Sequence, residues 1–333
     1  MTADTTSYVQ LDEYGDETVL RLRSGGIPVP GPQDIVVRHT AIGVNFHDIY
    51  VRSGLYKTLS LPGVPGIEAV GIVEALGAAV DNLAVGDRIG YVSPSYGAYA
   101  SHRILPAELA IALPDEVSDV AMAGSLMKML TTCMLVRKIH QVRPGEVVVV
   151  HAAAGGVGQL LCSWSKALGA RVIGTVGHRA KRDAAHAAGA DHVLLYREEN
   201  TADRVAALTD GAGADVVYDA IGRDTFLNSL QCLNYAGTLV NYGQASGAVE
   251  PFTPDLLAAK SLSLVRPILF HYLRTREQRQ ALSEETFAAL RAGFMRPAPA
   301  RVFALADAAN AHRLLQAGQS PGAIVLVPEG TCA

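Results

Sequence analysis

A chain of 333 residues is long enough for roughly two domains with cores of their own, so neither a disulfide framework nor a structural metal is needed to hold it together. Apolar residues make up 49% and charged ones 18%, a globular balance that excludes a disordered, self-repelling chain. Twenty-eight basic against 32 acidic side chains leave a formal charge of −4 without long runs of one sign, so nucleic acid and anionic membranes are not expected as partners.

The opening stretch MTADTTSYVQLDEYGDE is polar and acidic with no apolar h-region, which predicts no signal or transit peptide. No apolar run approaches the roughly 20 residues of a spanning helix, and a cytoplasmic protein is expected. The segments ETVLRLRSG, PGPQDIVVRHTAIGV, GIEAVGIVEAL, VGDRIGYV and GAYASHRIL read as short strands punctuated by glycine and proline, hence a mostly β, barrel-like first domain. Ser118 then N-caps a helical run, SDVAMAGSLMKMLTTCMLVRKIH. Beyond Pro144, EVVVVHA, ARVIGTV, DHVLL, ADVVYDAIG, GTLVNYG and SLSLVR are continuous apolar strands alternating with helices, the pattern of a doubly wound parallel sheet. From about Pro267 the alternation stops, and the final strand, AIVLVP, is expected to return to the first domain. The predicted division is 1–125 with 267–333, against 126–266. Cys133, Cys162, Cys232 and Cys332 are too scattered for a zinc site and are read as reduced, without a role.

Directly after EVVVV, the run Ala153-Ala154-Gly155-Gly156-Val157-Gly158 places three glycines at a strand-to-helix turn. Small residues there let the backbone approach a diphosphate, and the helix N-terminus offers unpaired N–H groups. Ala153 stands where the usual fingerprint has its first glycine, so the turn draws its weight from the six ordered βα units around it. The second strand ends at Gly177, where an NAD site would place an acid; here His178, Arg179, Lys181 and Arg182 follow instead. Basic side chains oppose the dipole at a helix start unless an anion sits there, so the cluster predicts a 2′-phosphate and NADPH over NADH.

GVNFHDIYVRSGLY, LPGVPGIEAVG, VGDRIGYV, HAAAGGVG and YDAIGRDTF, in this order, resemble the zinc-independent, zeta-crystallin-like quinone oxidoreductases of the medium-chain dehydrogenase/reductase superfamily. The resemblance implies an α/β chain with a GroES-like β domain and a Rossmann domain, a cleft between them and NADPH as hydride donor. Zinc-dependent members of the superfamily take metal ligands from positions that here read Asn45 and Gly66-Ile67-Glu68, and the four-cysteine lobe is absent between Arg88 and His102, so no metal is expected. His39, His47 and His102 are read as surface or hydrogen-bonded histidines. Without a Lewis acid the chemistry narrows to acceptors that need none, such as quinones and conjugated enones.

By the same resemblance Asn45, Asp48, Tyr50 and Tyr56 line the nicotinamide end, joined by Lys128 and Thr131. Asn45, Tyr50 and Tyr56 are the candidate catalytic residues, with the tyrosines either on the quinone oxygen or packing the domain. Asp48 has a structural alternative, paired with Arg52 four residues on. The cofactor is assigned to Gly155, Gly156, Val157, Gly158, Gly177, His178, Lys181 (the 2′-phosphate), Tyr196 (the adenine side), Gly243, Gln244 and Arg266. Two departures stand out. The segment Gly318–Ala323 lacks the basic residue that relatives often carry there, and His47 replaces a residue commonly apolar in this motif.

The first reading is thus an NADPH-dependent quinone reductase. A reductase of activated C=C bonds in enones or alkenals shares its features, and a non-catalytic NADPH-binding sensor or RNA-binding relative belongs to a different class. The edge strand SLSLVRPILF predicts a homodimer.

Overall fold

The computed structural model describes residues 5–318 and 322–329, so Cys332 and Gln319–Pro321 lie outside it. Two units emerge: residues 1–127, 275–280 and 297–333 form one, and residues 128–274 and 281–296 the other.

In the first unit β1 (Thr5–Leu11) and β2 (Leu20–Gly26) form an antiparallel pair. The long strand β3 (Asp34–Val44) pairs antiparallel with β4 (Glu68–Leu76) and with β6 (His102–Pro106), while β5 (Arg88–Val92) joins β4 to the two-residue β7 (Ile111–Ala112). Short helix α1 (Phe46–Arg52) leaves the end of β3. The predicted helical run is broken: Gly124 ends α2 (Asp119–Ala123), whose N-cap Ser118 accepts the N–H of Ala121, and α3 (Leu126–Cys133) runs on into π-helical turns over Met134–Ile139. Side chains such as Val9, Ile35, Ile42, Tyr91, Tyr99 and Leu326 make the core.

The second unit carries six parallel strands, β8 (Val147–Val150), β9 (Arg171–Val176), β10 (His192–Leu195), β11 (Ala214–Asp219), β12 (Leu233–Asn241) and β13 (Ser263–Val265). Their order is β10-β9-β8-β11-β12-β13, so the direction of winding reverses between β8 and β11. Helices α4 (Gly156–Ala167), α5 (Arg182–Ala187), α6 (Thr201–Leu208) and α7 (Phe226–Cys232) make the connections. Coverage on both faces is why Val, Ile and Leu dominate the middle of these strands, each contributing about 1.5–3 kcal/mol on burial.

The chain returns to the first unit through β14 (Ala300–Ala304) and β15 (Ala323–Val327); β15 lies antiparallel to β3, extending that sheet to β14-β15-β3-β4-β5-β7. The strand of AIVLVP thus lies in the sheet of the first unit, and the span 267–333 divides between the two units. Residues 281–296 group with the second unit because Glu285 bridges Arg137 and Lys138, and Phe294 accepts a hydrogen bond from Ser163.

Candidate active site

The second unit gathers its site at the carboxyl ends of β8, β9, β11 and β12, beside the reversal in strand order where ligands bind in open α/β sheets. Gly155 is at the N-cap of α4, and a Cβ on Gly158 would fall 2.2 Å from the carbonyl oxygen of Ala152, so only glycine lets the turn close. Gly155 and Gly156 are exposed and Val157 half-buried, leaving first-turn N–H groups directed outward. A Cβ on Gly156 would meet Lys128 Cδ at 2.7 Å, so the Lys128 stem crosses this turn; Thr131, three residues on, shares its helical face. This cradle fits a diphosphate: a narrow backbone turn, a helix N-terminus and an adjacent lysine.

Gly177 faces Tyr196, whose ring a Cβ there would meet at 3.3 Å, and the Arg197 guanidinium lies 5.7 Å from the Tyr196 ring centre. Of the four basic residues after Gly177, two are already engaged. Arg179 pairs with Glu198 at 2.8 Å, and Arg182 donates to the Val193 carbonyl at 3.1 Å. His178 and Lys181 carry no side-chain ion pair among the described residues, so a 2′-phosphate has half the expected cluster to bind. A Cβ on Gly243 would lie 2.5 Å from the Ala220 carbonyl oxygen, and one on Gly222 would lie 3.2 Å from Gln244 Cα, so the loops after β11 and β12 pack backbone to backbone. Arg266 holds the second of these loops at its base by donating to the Asn241 carbonyl at 2.9 Å.

Beneath these loops lies a buried polar network that the apolar reading of the strands missed. Asp219 accepts from the N–H groups of Ile221 and Gly222 and from the hydroxyls of Thr225 and Ser229. Ser229 reaches His151 Nε2 at 3.0 Å, and His151 Nδ1 reaches Thr175 at 2.8 Å. The network ties together the ends of β8, β9 and β11, and burial lowers the His151 pKa. Its signal in the sequence is one polar residue at or next to the end of each apolar strand.

In the first unit, α1 and the irregular segment after it carry the other candidates. The Asn45 amide donates through Nδ2 to Glu68 Oε2 at 2.7 Å, and Glu68 Oε1 accepts the Met127 N–H at 2.6 Å. Two of the positions that the resemblance aligns with metal ligands of zinc-dependent members, Asn45 and Glu68, are thus bonded to each other. Among the described residues no group of three or more His, Cys, Asp or Glu side chains is arranged for a metal ion. Asp48, expected at the cofactor, is fully buried; its Oδ2 accepts the Asn45 N–H at 2.8 Å and the Tyr99 hydroxyl at 3.3 Å. It caps α1 because a carboxylate at the third helical position meets an otherwise unpaired N–H. Arg52 shares the buried face of α1 with Asp48 and donates to Gln316.

Tyr50 and Tyr56 form an edge-to-face pair with ring centres 5.2 Å apart, and the Tyr56 N–H donates to the Tyr50 carbonyl. His47 lies edge-on to Tyr56 at 5.6 Å and stacks on Tyr96 at 5.9 Å, its Nε2 lying 3.0 Å from the Tyr96 hydroxyl oxygen. The Tyr96 hydroxyl also bonds to Thr58. Burial pulls the His47 pKa down to about 4, so the ring is neutral at pH 7. Tyr96 and Thr58 were not foreseen, because nothing local in the sequence joins residues so far apart. His39 and His102 are hydrogen-bonded, His39 to Ala100 and Tyr91 and His102 to Glu74.

Known proteins resemble both units. Residues 31–115 match the alcohol dehydrogenase GroES-like domain and residues 156–285 the zinc-binding dehydrogenase family. A quinone oxidoreductase of Pseudomonas aeruginosa is 42% identical over 321 residues, covering 96% of this chain and 99% of that protein. A 2-haloacrylate reductase of a Burkholderia species is 40% identical over 307 residues, covering 90% and 92%. The crystal structure of Escherichia coli quinone oxidoreductase complexed with NADPH superposes with a TM-score of 0.92 at 39% identity, covering 97% of this chain and all of that one.

Proposed function

The chain belongs to the quinone oxidoreductase family of the medium-chain dehydrogenase/reductase superfamily, and from that premise we propose that it reduces quinones with NADPH without a metal ion. The cofactor, when bound, supplies a hydride from its nicotinamide ring. Gly155, whose own N–H closes the turn on the Ala152 carbonyl, shapes the cradle, and the first-turn N–H groups of Gly156, Val157 and Gly158 hold the diphosphate, with Lys128 adding positive charge. Lys181 and His178 take the 2′-phosphate, Tyr196 the adenine side, and Gly177, Gly243 and Gln244 supply close-approach backbone. Arg266 holds the Gly243 loop from below.

The observation that carries the metal-free reading is the bond between Asn45 and Glu68. A simple ketone needs its oxygen polarised before hydride arrives, whereas a quinone becomes aromatic on reduction and needs mainly orientation. Tyr50 or Tyr56 donates a hydrogen bond to the oxygen on which negative charge develops. Asn45 positions α1, and Thr131 lines the nicotinamide end. The reaction consumes one NADPH and one proton per quinone and yields a hydroquinone.

The likeness to a 2-haloacrylate reductase supports reduction of activated C=C bonds as the second reading. Both can be assayed together, as NADPH and NADH oxidation with p-benzoquinone or an alkenal, with and without a chelator. Faster, chelator-insensitive turnover of the quinone with NADPH supports the first reading; turnover of the alkenal alone moves the assignment to the second.

The working form we propose is a cytoplasmic homodimer. β13 ends the six-stranded sheet, and Ile268 just beyond it is 47% exposed, a surface that a second copy covers by edge-to-edge pairing. Three described cysteines, Cys133, Cys162 and Cys232, are free and buried, as suits a reducing compartment. A single 35.1 kDa species in sedimentation at micromolar concentration contradicts the dimer.

A further inference from the structure

We infer that His47, clamped by Tyr96 and Thr58, is a positioning residue that fixes the Tyr56 ring and thereby favours flat, ring-shaped acceptors over open-chain activated alkenes. The inference rests on the acceptor-side role proposed for Tyr50 and Tyr56.

Residues 53–62, which carry Tyr56, contain no helix or strand, so no regular backbone ladder sets the direction of that ring. Side chains do so instead. The Tyr96 hydroxyl is bonded on one side to His47 and on the other to Thr58, two residues beyond Tyr56, so one group holds the start of α1 and the irregular segment at once. Between these anchors the rings of His47, Tyr56 and Tyr50 follow one another edge to face, at 5.6 and 5.2 Å. Such pairs prefer a defined offset, so fixing the first ring restricts the next two.

Tyr96 itself reports the same constraint. Its φ of +48° is in the left-handed region, which a bulky residue adopts only when its surroundings hold it there, and Gly97 follows at +98°. The backbone turn sends the Tyr96 ring into a buried position against His47. A neutral imidazole suits that position, since it makes an edge-to-face contact with Tyr56 and offers an in-plane hydrogen-bonding nitrogen to the Tyr96 hydroxyl without bringing in a charge. Rings held at fixed edge-to-face angles give a rigid, planar quinone ring contacts of the same kind that it meets without reorganising. A flexible alkenal gains little from them.

The test compares Tyr96→Phe and Thr58→Val with the parent enzyme, alone and in a Tyr56→Leu background. Losing one hydrogen bond of the clamp is expected to lower kcat for p-benzoquinone, and with it kcat/KM, about 5- to 10-fold. The NADPH dissociation constant and crotonaldehyde turnover stay within about twofold, because neither depends on the direction of the Tyr56 ring. In the Tyr56→Leu background the same changes should have no further effect, and His47→Gln, which keeps a hydrogen-bonding group toward Tyr96, should recover part of the loss seen with His47→Leu. Equal losses in both backgrounds, or equal losses for quinone and crotonaldehyde, would overturn the inference. A parent enzyme that reduces no quinone overturns the proposed function instead; the clamp is then read from the fluorine NMR signal of Tyr56 in fluorotyrosine-labelled protein. A signal that shifts and narrows in Tyr96→Phe supports the clamp, and an unchanged one refutes it.

Discussion

The amide of Asn45 and the carboxylate of Glu68 meet at 2.7 Å, and the other Glu68 oxygen takes the Met127 N–H, so this buried acid joins the start of α1 to the start of α3. Glu68→Leu removes both acceptors, leaving the buried Asn45 amide and the Met127 N–H without this partner, and is expected to cost about 2 kcal/mol or more. Urea denaturation checks it; an unchanged midpoint contradicts the assignment.

Lys181 and Arg179 lie in the same basic cluster, yet Arg179 is held by Glu198 and Lys181 is not. Lys181→Ala is expected to weaken NADPH binding about 10- to 100-fold while leaving NADH within about twofold. Arg179→Ala should change either by less than about threefold, since its exposed ion pair contributes little. Fluorescence titration with both nucleotides decides; equal effects of the two substitutions contradict the division of the cluster.

His39 and His312 are buried beside tyrosines, and burial lowers both pKa values from 6.5 to about 3. The unfolded chain therefore takes up protons first as the pH falls, so the stability these groups hold in full above about pH 6.5 declines from there toward pH 3. Each contributes a slope approaching roughly 1.4 kcal/mol per pH unit near pH 5. Unfolding free energies at several pH values should show this decline, reduced by about one proton in His312→Asn. An identical slope in the variant contradicts it.

The Gly158 position leaves 2.2 Å between a built Cβ and the Ala152 carbonyl oxygen, a backbone atom that cannot swing away. Gly158→Ala is expected to lower NADPH affinity at least about 10-fold and to lower the melting temperature, because the phosphate turn must open to admit the methyl group. Gly145→Ala is the control for backbone effects, since its φ is positive but no atom lies within 4 Å of a built Cβ. Equal effects of the two on NADPH binding contradict a role for the turn.

The second unit was readable from its sequence because burial on both faces writes itself as unbroken apolar runs, and the glycine turn falls where such a sheet places it. β1 carries no such mark: its Thr5, Ser7 and Gln10 belong to a pair partly open to water, so the run looks like a polar terminus. The run after Ser118 is helical in type but not continuous: Gly124, a poor helix former, ends α2, a break the local sequence does carry, whereas the later π-helical turns leave no such mark. Asn45, Tyr50 and Tyr56 could be named because they stand together in one motif. Glu68, Tyr96 and Thr58 act on them across turns, and a tyrosine in the left-handed region leaves no mark on a composition or a period.

Hydride transfer is tested most directly with NADPH deuterated at nicotinamide C4, p-benzoquinone as acceptor and a chelator present throughout. The predicted result is one hydroquinone formed per NADPH consumed, with a primary isotope effect and no loss of rate on adding the chelator. NADPH that binds tightly but is not oxidised, or turnover abolished by the chelator, would contradict it.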